Sequence, residues 1–286
     1  MRFRTEIEIS KSNLQISHSD KLVLLGSCFT DEIGSRLEAD GFNALHNPFG
    51  PLYNPLSLAK CIKRAVTRQH YTAEELYDGP RGFHCLDYAS RYSGSDAESV
   101  LQLVNGTLDI LSDAIGGAST VILTLGSAWI FSHNSSGQAV GNCHKFAPAC
   151  FNRRLLSVEE CVTALDDILT LLQKIGVKGV ILTISPIRHL ADGLNGNTIS
   201  KSTLHLAAMQ LGKKYDNFVH YFPSYEIMID DLRDYRFYAS DMKHPSQVAI
   251  DYIYENFGIA YFSSHTLAQV AEAHKSFLAE QHRQIL

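Results

Sequence analysis

The chain lacks most of what would place it in a membrane, in an oxidising compartment or on nucleic acid. Its longest apolar stretch, around Val121 to Phe131, is too short and too interrupted to span a bilayer. The opening residues, Met-Arg-Phe-Arg-Thr-Glu-Ile-Glu-Ile-Ser, carry no apolar h-region, so no secretory signal is expected. The six cysteines stand at 28, 61, 85, 143, 150 and 161 with no Cys-x-x-Cys pair. That is the pattern of free thiols in a reducing cytoplasm, not of a disulfide framework or a metal site. Positive charge is also short. Twenty-five Lys and Arg against 30 Asp and Glu give a net charge of −5, and the sequence pI is about 6.2, which argues against a nucleic-acid footprint. The densest basic group, Lys60, Lys63, Arg64 and Arg68, fits the solvated face of a helix.

What is present is an ordinary globular composition, 45% apolar and 19% charged over 286 residues, enough to bury a sizeable core. Strand-like and helix-like patterns alternate. Strands are expected at 21–25, 42–45, 119–125, 178–184 and 218–222, and helices at 30–40, 55–68, 96–115, 157–175 and 200–215. Thr-Val-Ile-Leu-Thr-Leu and Gly-Val-Ile-Leu-Thr-Ile are continuous β-branched runs, as in parallel strands buried on both faces. The segment 157–175 is the clearest helix: Ser157 caps it, Glu159 and Glu160 open it, Gly176 stops it, and Val162, Leu165, Ile168, Leu169 and Leu172 share one stripe. Five strands separated by helices imply right-handed crossovers and a parallel, doubly wound α/β sheet.

Residues 70–95 read as a loop excursion over the site and 225–240 as a second irregular insert, both expected to shape specificity. An amphipathic segment at 265–284, with Leu267, Val270, Ala271, Phe277 and Leu278 inward, is expected to pack on the body. No repeat, low-complexity tract or linker is visible. Residues 1–286 therefore form one domain, with a core of about 20–260.

The chemistry concentrates where the first strand ends. Leu22-Val23-Leu24-Leu25-Gly26-Ser27 delivers a hydroxyl to the carboxyl end of a strand, where open α/β sheets bind ligands. A serine nucleophile needs a base, a group to orient that base, and donors for the oxyanion. Asp241-Met242-Lys243-His244 supplies the first two: His244 would take the proton from Ser27, and Asp241 would hold the imidazole. The same spacing also serves a loop whose Asp merely caps a turn or the helix near 246–256. Cys28 is a rival nucleophile at a helix start. Strand alternation points it away from Ser27 and the carboxylates of Asp31 and Glu32 oppose a thiolate, so it is expected to be a core cysteine. Asn142-Cys143-His144 has no partner pair with metal-ligand spacing, and neither a metal nor a cofactor is expected. His144 and Lys145 read as lining the crevice or binding an anionic group. Arg188, beside Ser185 and His189 after the fourth strand, could clamp a carboxylate or phosphate, and His46 and Asn47 end the second strand.

Gly26-Ser27-Cys28-Phe29-Thr30 resembles the signature of the GSCFA family, with Thr in place of the final Ala. Asn47-Pro48-Phe49-Gly50, Thr124-Leu125-Gly126, Asn142-Cys143-His144-Lys145 and Ser185-Pro186-Ile187-Arg188-His189 are similar to further family segments. With Asp241-x-x-His244-Pro245 these resemble the first and last blocks of the SGNH (GDSL-type) hydrolases, over roughly residues 20–255. The resemblance implies a flavodoxin-like three-layer α/β/α sandwich with a five-stranded parallel sheet, and ester or acyl chemistry. Two departures stand out. The usual Gly-Asp-Ser is Leu25-Gly26-Ser27, and the usual Gly-x-Asn-Asp is Gly126-Ser127-Ala128-Trp129, without the Asn that donates to the oxyanion. Replacement donors are the backbone N–H of Ser27 or Cys28 at the helix start, Gly50, Gly126 and Asn142.

The expected function is thus a serine hydrolase with Ser27, His244 and Asp241 acting on a small-molecule, glycan or lipid ester. An acyltransferase using the same site is the nearest alternative, and a non-catalytic binding protein on the same scaffold is the other. The substrate and the oligomeric state are not readable.

Overall fold

The computed structural model describes residues 4–80 and 82–273. Five parallel strands form its centre: β1 (Lys21–Gly26), β2 (Asn43–His46), β3 (Thr120–Leu125), β4 (Gly179–Ile184) and β5 (Val219–Phe222). They lie in the order β5-β4-β3-β1-β2, all pairs parallel. This is the 2-1-3-4-5 order of a flavodoxin-like doubly wound sheet, whose direction of winding reverses between β1 and β3. The expected strands all form, each within about a residue of its expected ends.

The layers follow from side-chain alternation. Val23, Leu25, Val121, Leu123, Val180 and Leu182 face one core. It is closed by α2 (Pro55–Thr67), α3 (Ala97–Gly116), α4 (Val158–Lys174) and α5 (Gly193–Lys214). Leu22, Leu24, Ile122 and Ile181 face the other, under α1 (Phe29–Ala39) and α6 (Gln247–Tyr261). The molecule is a three-layer α/β/α sandwich. The caps work as the sequence indicates. Ser157 and Glu160 exchange hydrogen bonds in a capping box at 2.9 and 3.2 Å, and Asn54 accepts from the Ser57 N–H ahead of Pro55. Helix α5 begins seven residues earlier than 200, because Gly193 and Gly196 disguise its first turns.

Four readings of the sequence change. Residues 77–94 are not a loop over the site but a small antiparallel sheet (77–79, 82–84, 93–94). It is fastened by Tyr88, which stacks on Phe49 with centroids 3.7 Å apart. A second antiparallel sheet (129–133, 139–140, 151–155) had no periodicity strong enough to reveal it. Arg64 is not on a solvated face: it is buried over the Tyr71 ring and paired with Glu75. Within 265–284 the described part is helical through residue 273, with Leu267 exposed and Val270 half-buried against the second core. Phe277 and Leu278 lie outside the described residues. Among the described residues no helix is long and apolar enough to cross a membrane.

Candidate active site

A cavity of about 310 Å³ opens at the carboxyl edge of the sheet, where the winding reverses. Its wall includes Ser27 and Cys28 after β1, Gly126 after β3, Ser185, Arg188 and His189 after β4, Tyr53, and Lys243 with His244 from the loop before α6. Chain segments more than 200 residues apart in sequence meet here.

The His244 loop is built by its aspartate. Asp241 accepts the backbone N–H groups of Lys243 and His244 at 2.9 and 3.0 Å, while Met242 takes φ of 58°. A bridge between Tyr238 and Pro245 pins the turn, and Ser246 caps the helix that follows. The carboxylate also accepts from His244 Nδ1 at 2.5 Å. These three hydrogen bonds hold the Asp241 carboxyl well below the usual carboxylate range. With its Nδ1–H donating to the Asp241 carboxylate, the imidazole turns the Nε2 lone pair towards the cavity.

What meets that lone pair is Cys28, not Ser27. Cys28 Sγ lies 3.7 Å from His244 Nε2. Ser27 lines the same cavity, but its Oγ is buried and has no hydrogen-bond partner among the described residues. The backbone supplies the reason. Ser27 still follows the strand, its N–H donating to the Thr124 carbonyl at 3.1 Å, whereas Cys28 already has helical φ and ψ of −60° and −18°. Because Cys28 has left strand geometry, alternation no longer turns it away: it is the residue presented to His244, partly exposed instead of sealed in a core. A signal for this lay in the first block itself. In Gly-Asp-Ser the hydroxyl stands two residues after the glycine, and two residues after Gly26 stands Cys28.

Burial raises the Cys28 thiol above its ordinary value, and the nearby Asp31 and Glu32 add to this. The resting group is a neutral thiol that needs a base. The Tyr53 hydroxyl hydrogen-bonds Cys28, and burial pushes that phenol up to about 12, so it remains a donor. Neither Tyr53 nor the polar floor of the site stands out in a sequence motif. That floor holds Lys201, 2% exposed, whose ammonium donates to the Gly126 and Ser185 carbonyls at 2.7 Å each. Burial lowers it to about 7.

The expected oxyanion donors sort differently. Gly126 reaches the cavity, but its N–H is taken by the Tyr53 carbonyl at 2.8 Å. Gly50 is outside the cavity wall, and its N–H serves the Asn47 carbonyl at 2.8 Å. Asn142 folds back to accept the His144 N–H, and His144 is buried 3.2 Å from His84 Nδ1, bonded to the Tyr88 carbonyl. Both lie in the loop between strands 139–140 and 151–155 of the second antiparallel sheet, and neither lines the cavity. Thr30 and Asp31 donate back to Ser27 and Cys28, which leaves the N–H groups of Cys28 and Phe29 as the first-turn donors of α1. Asn47 is structural: Oδ1 accepts from Gly26 and Nδ2 donates to the Ser27 carbonyl. His46 pairs with Asp31 and Glu38.

Fold and cavity define a doubly wound α/β protein with a cysteine, histidine and aspartate in hydrogen-bonded series at the switch point of its sheet. The chain belongs to the GSCFA family, whose model matches residues 21–257. Comparison with curated proteins finds no match. Among solved structures the chain is similar to a carbohydrate esterase family 3 from Talaromyces cellulolyticus. The TM-score is 0.41 and the identity 8%, over 84% of this chain and 94% of that one.

Proposed function

We propose that the protein is an acyl hydrolase of SGNH-like architecture in which Cys28 is the nucleophile, His244 the base and then the acid, and Asp241 the group that orients it. The observation that carries this reading is the series Cys28 Sγ, His244 Nε2, His244 Nδ1, Asp241 Oδ2, at 3.7 and 2.5 Å, on the wall of the cavity. The thiol gives its proton to Nε2 as sulfur attacks the acyl carbon of an ester. The oxyanion is received by the α1 N–H groups and the Tyr53 hydroxyl. The imidazolium then protonates the departing alkoxide, leaving an acyl thioester on Cys28. Water, deprotonated by His244, attacks that thioester and releases acid and free thiol. An acceptor hydroxyl in place of water would make the same site an acyltransferase.

Ser27 remains the competing nucleophile, because it lines the same cavity and its buried hydroxyl has no partner among the described residues. Short-chain p-nitrophenyl esters, with the acylated peptide located by mass spectrometry, separate the two. Cys28→Ala should lose activity on the order of 10³-fold or more, and the trapped acyl group should map to Cys28 in Ser27→Ala protein. An acyl group on Ser27, or full turnover by Cys28→Ala, would overturn the assignment.

A further inference from the structure

The cavity wall carries an arginine with no carboxylate partner among the described residues. Of the ten arginines among the described residues, Arg4, Arg36, Arg64, Arg68, Arg153, Arg154, Arg233 and Arg236 pair with a carboxylate. Arg91 donates to the Pro48 carbonyl. Arg188 has no carboxylate within ion-pair distance among the described residues, yet it is the arginine that lines the cavity. Its guanidinium is nonetheless held in place. It lies over the Tyr238 ring at 4.4 Å and beside Tyr235 at 5.2 Å, and its backbone N–H donates to the Lys243 carbonyl at 3.1 Å. Stacking, together with hydrogen bonds from the fork to the Tyr235 and Tyr238 hydroxyls, fixes the plane of the guanidinium, and of its five N–H donors those not given to the tyrosines are left to a ligand. Lys243 adds a second cation to the wall, and among the described residues no Asp or Glu lines the cavity, although the whole chain carries −5. A cation-lined cleft in an acidic protein selects for negative charge.

We propose that Arg188 is an oxoanion-recognition subsite, so that the acyl substrate bears a carboxylate or phosphate group. This specifies the substrate class of the Cys28 site and rests on that reading. The 310 Å³ of space is at the small end of ligand pockets, which limits the substrate to a compact molecule. The planar fork of Arg188 matches either oxoanion bidentately, and Tyr235 and Tyr238 give the irregular segment after β5 its part in recognition.

Two measurements test the subsite separately from the chemistry. Calorimetric titration with succinate, with inorganic phosphate and with neutral succinamide uses the whole protein and needs no turnover. Succinate or phosphate should bind and succinamide should not, and Arg188→Ala should weaken the bound anion roughly tenfold to a hundredfold. Whichever of the two anions binds identifies the group. Kinetics then compare p-nitrophenyl hemisuccinate with p-nitrophenyl butyrate. The ratio of their kcat/KM values should favour the hemisuccinate and collapse by a similar factor in Arg188→Ala, with Arg188→Lys recovering part of it. Melting temperatures of both variants show whether they fold.

Equal efficiency on the two esters together with no anion binding would overturn the subsite and leave the Cys28 reading standing. Arg188-dependent anion binding without hydrolysis of either ester would support the subsite and remove the hydrolase reading.

Discussion

At the residue scale the least expected group is Lys201. Its position was legible in principle: Asn197, Lys201, Leu204, Ala208 and Leu211 fall on one helical stripe of α5, and all are buried. A lysine on such a stripe is an anomaly that only a polar floor can satisfy, here two carbonyls from different strand ends. Its titration has a definite sign. The unfolded chain keeps lysine protonated to about pH 10, whereas burial lowers the folded group to about 7. Between these values the unfolded state holds more protons, so this group makes stability rise with pH from about 7 to about 10. Below pH 7 both states are charged and the burial penalty is felt in full. Urea unfolding at a series of pH values should show that slope, and Lys201→Met should flatten it. The variant also orphans two carbonyls, each worth about 1–3 kcal/mol, so the slope and not the absolute stability is the reading. An unchanged slope would mean that another group carries it.

At the scale of elements, the turn from β1 to α1 determines which side chain meets His244. Gly26 adopts φ of 151°, and a Cβ there would lie 2.2 Å from the Thr124 carbonyl oxygen, a contact that requires β1 and β3 to part. Gly26→Ala should therefore destabilise by about 1–3 kcal/mol or more, read by denaturant midpoint. Asn47 holds the same turn from β2, and itself takes φ of 38°. Asn47→Ala leaves the Gly26 N–H unpaired and the Ser27 carbonyl with only the Thr30 N–H, and should cost about 1–3 kcal/mol. It should also change the alkylation rate of Cys28, since the turn that carries the thiol loses its tie. Stability lost with that rate unchanged would show that the turn is held by the strands alone. The sequence placed Gly26, Ser27 and Asn47 at strand ends, but not the hydrogen bonds between them.

At the scale of the whole molecule, the sheet is covered on both faces, and that covering sorts the six thiols. Cys61, Cys85 and Cys161 are sealed in the core under α2, α3 and α4, where burial pushes Cys61 and Cys161 up to about 12. Cys28, Cys143 and Cys150 are partly exposed. Mass spectrometry after iodoacetamide treatment of native protein should find label on those three, and on the other three only after unfolding. Cys28 labelling should slow in His244→Ala, because burial and Asp31 keep the unassisted thiol protonated. Equal labelling of all six at low denaturant would contradict the packing described.

The sequence by itself determined the five strands, the helices between them and hence the parallel, doubly wound sheet. Periodicity and capping are local, and the handedness of crossovers leaves little choice once they are known. It also placed Ser27, Cys28, Arg188, Asp241 and His244 at the carboxyl edge. Only the tertiary structure decided that Cys28 faces His244, that Gly50, Asn142 and His144 stand apart, that Tyr53 and Lys243 complete the cavity wall, and that Lys201 lies beneath it. The reason is physical. Where the chain leaves strand geometry is set by long-range partners such as Thr124 and Asn47, and a change of one residue in that point turns a different side chain into the site.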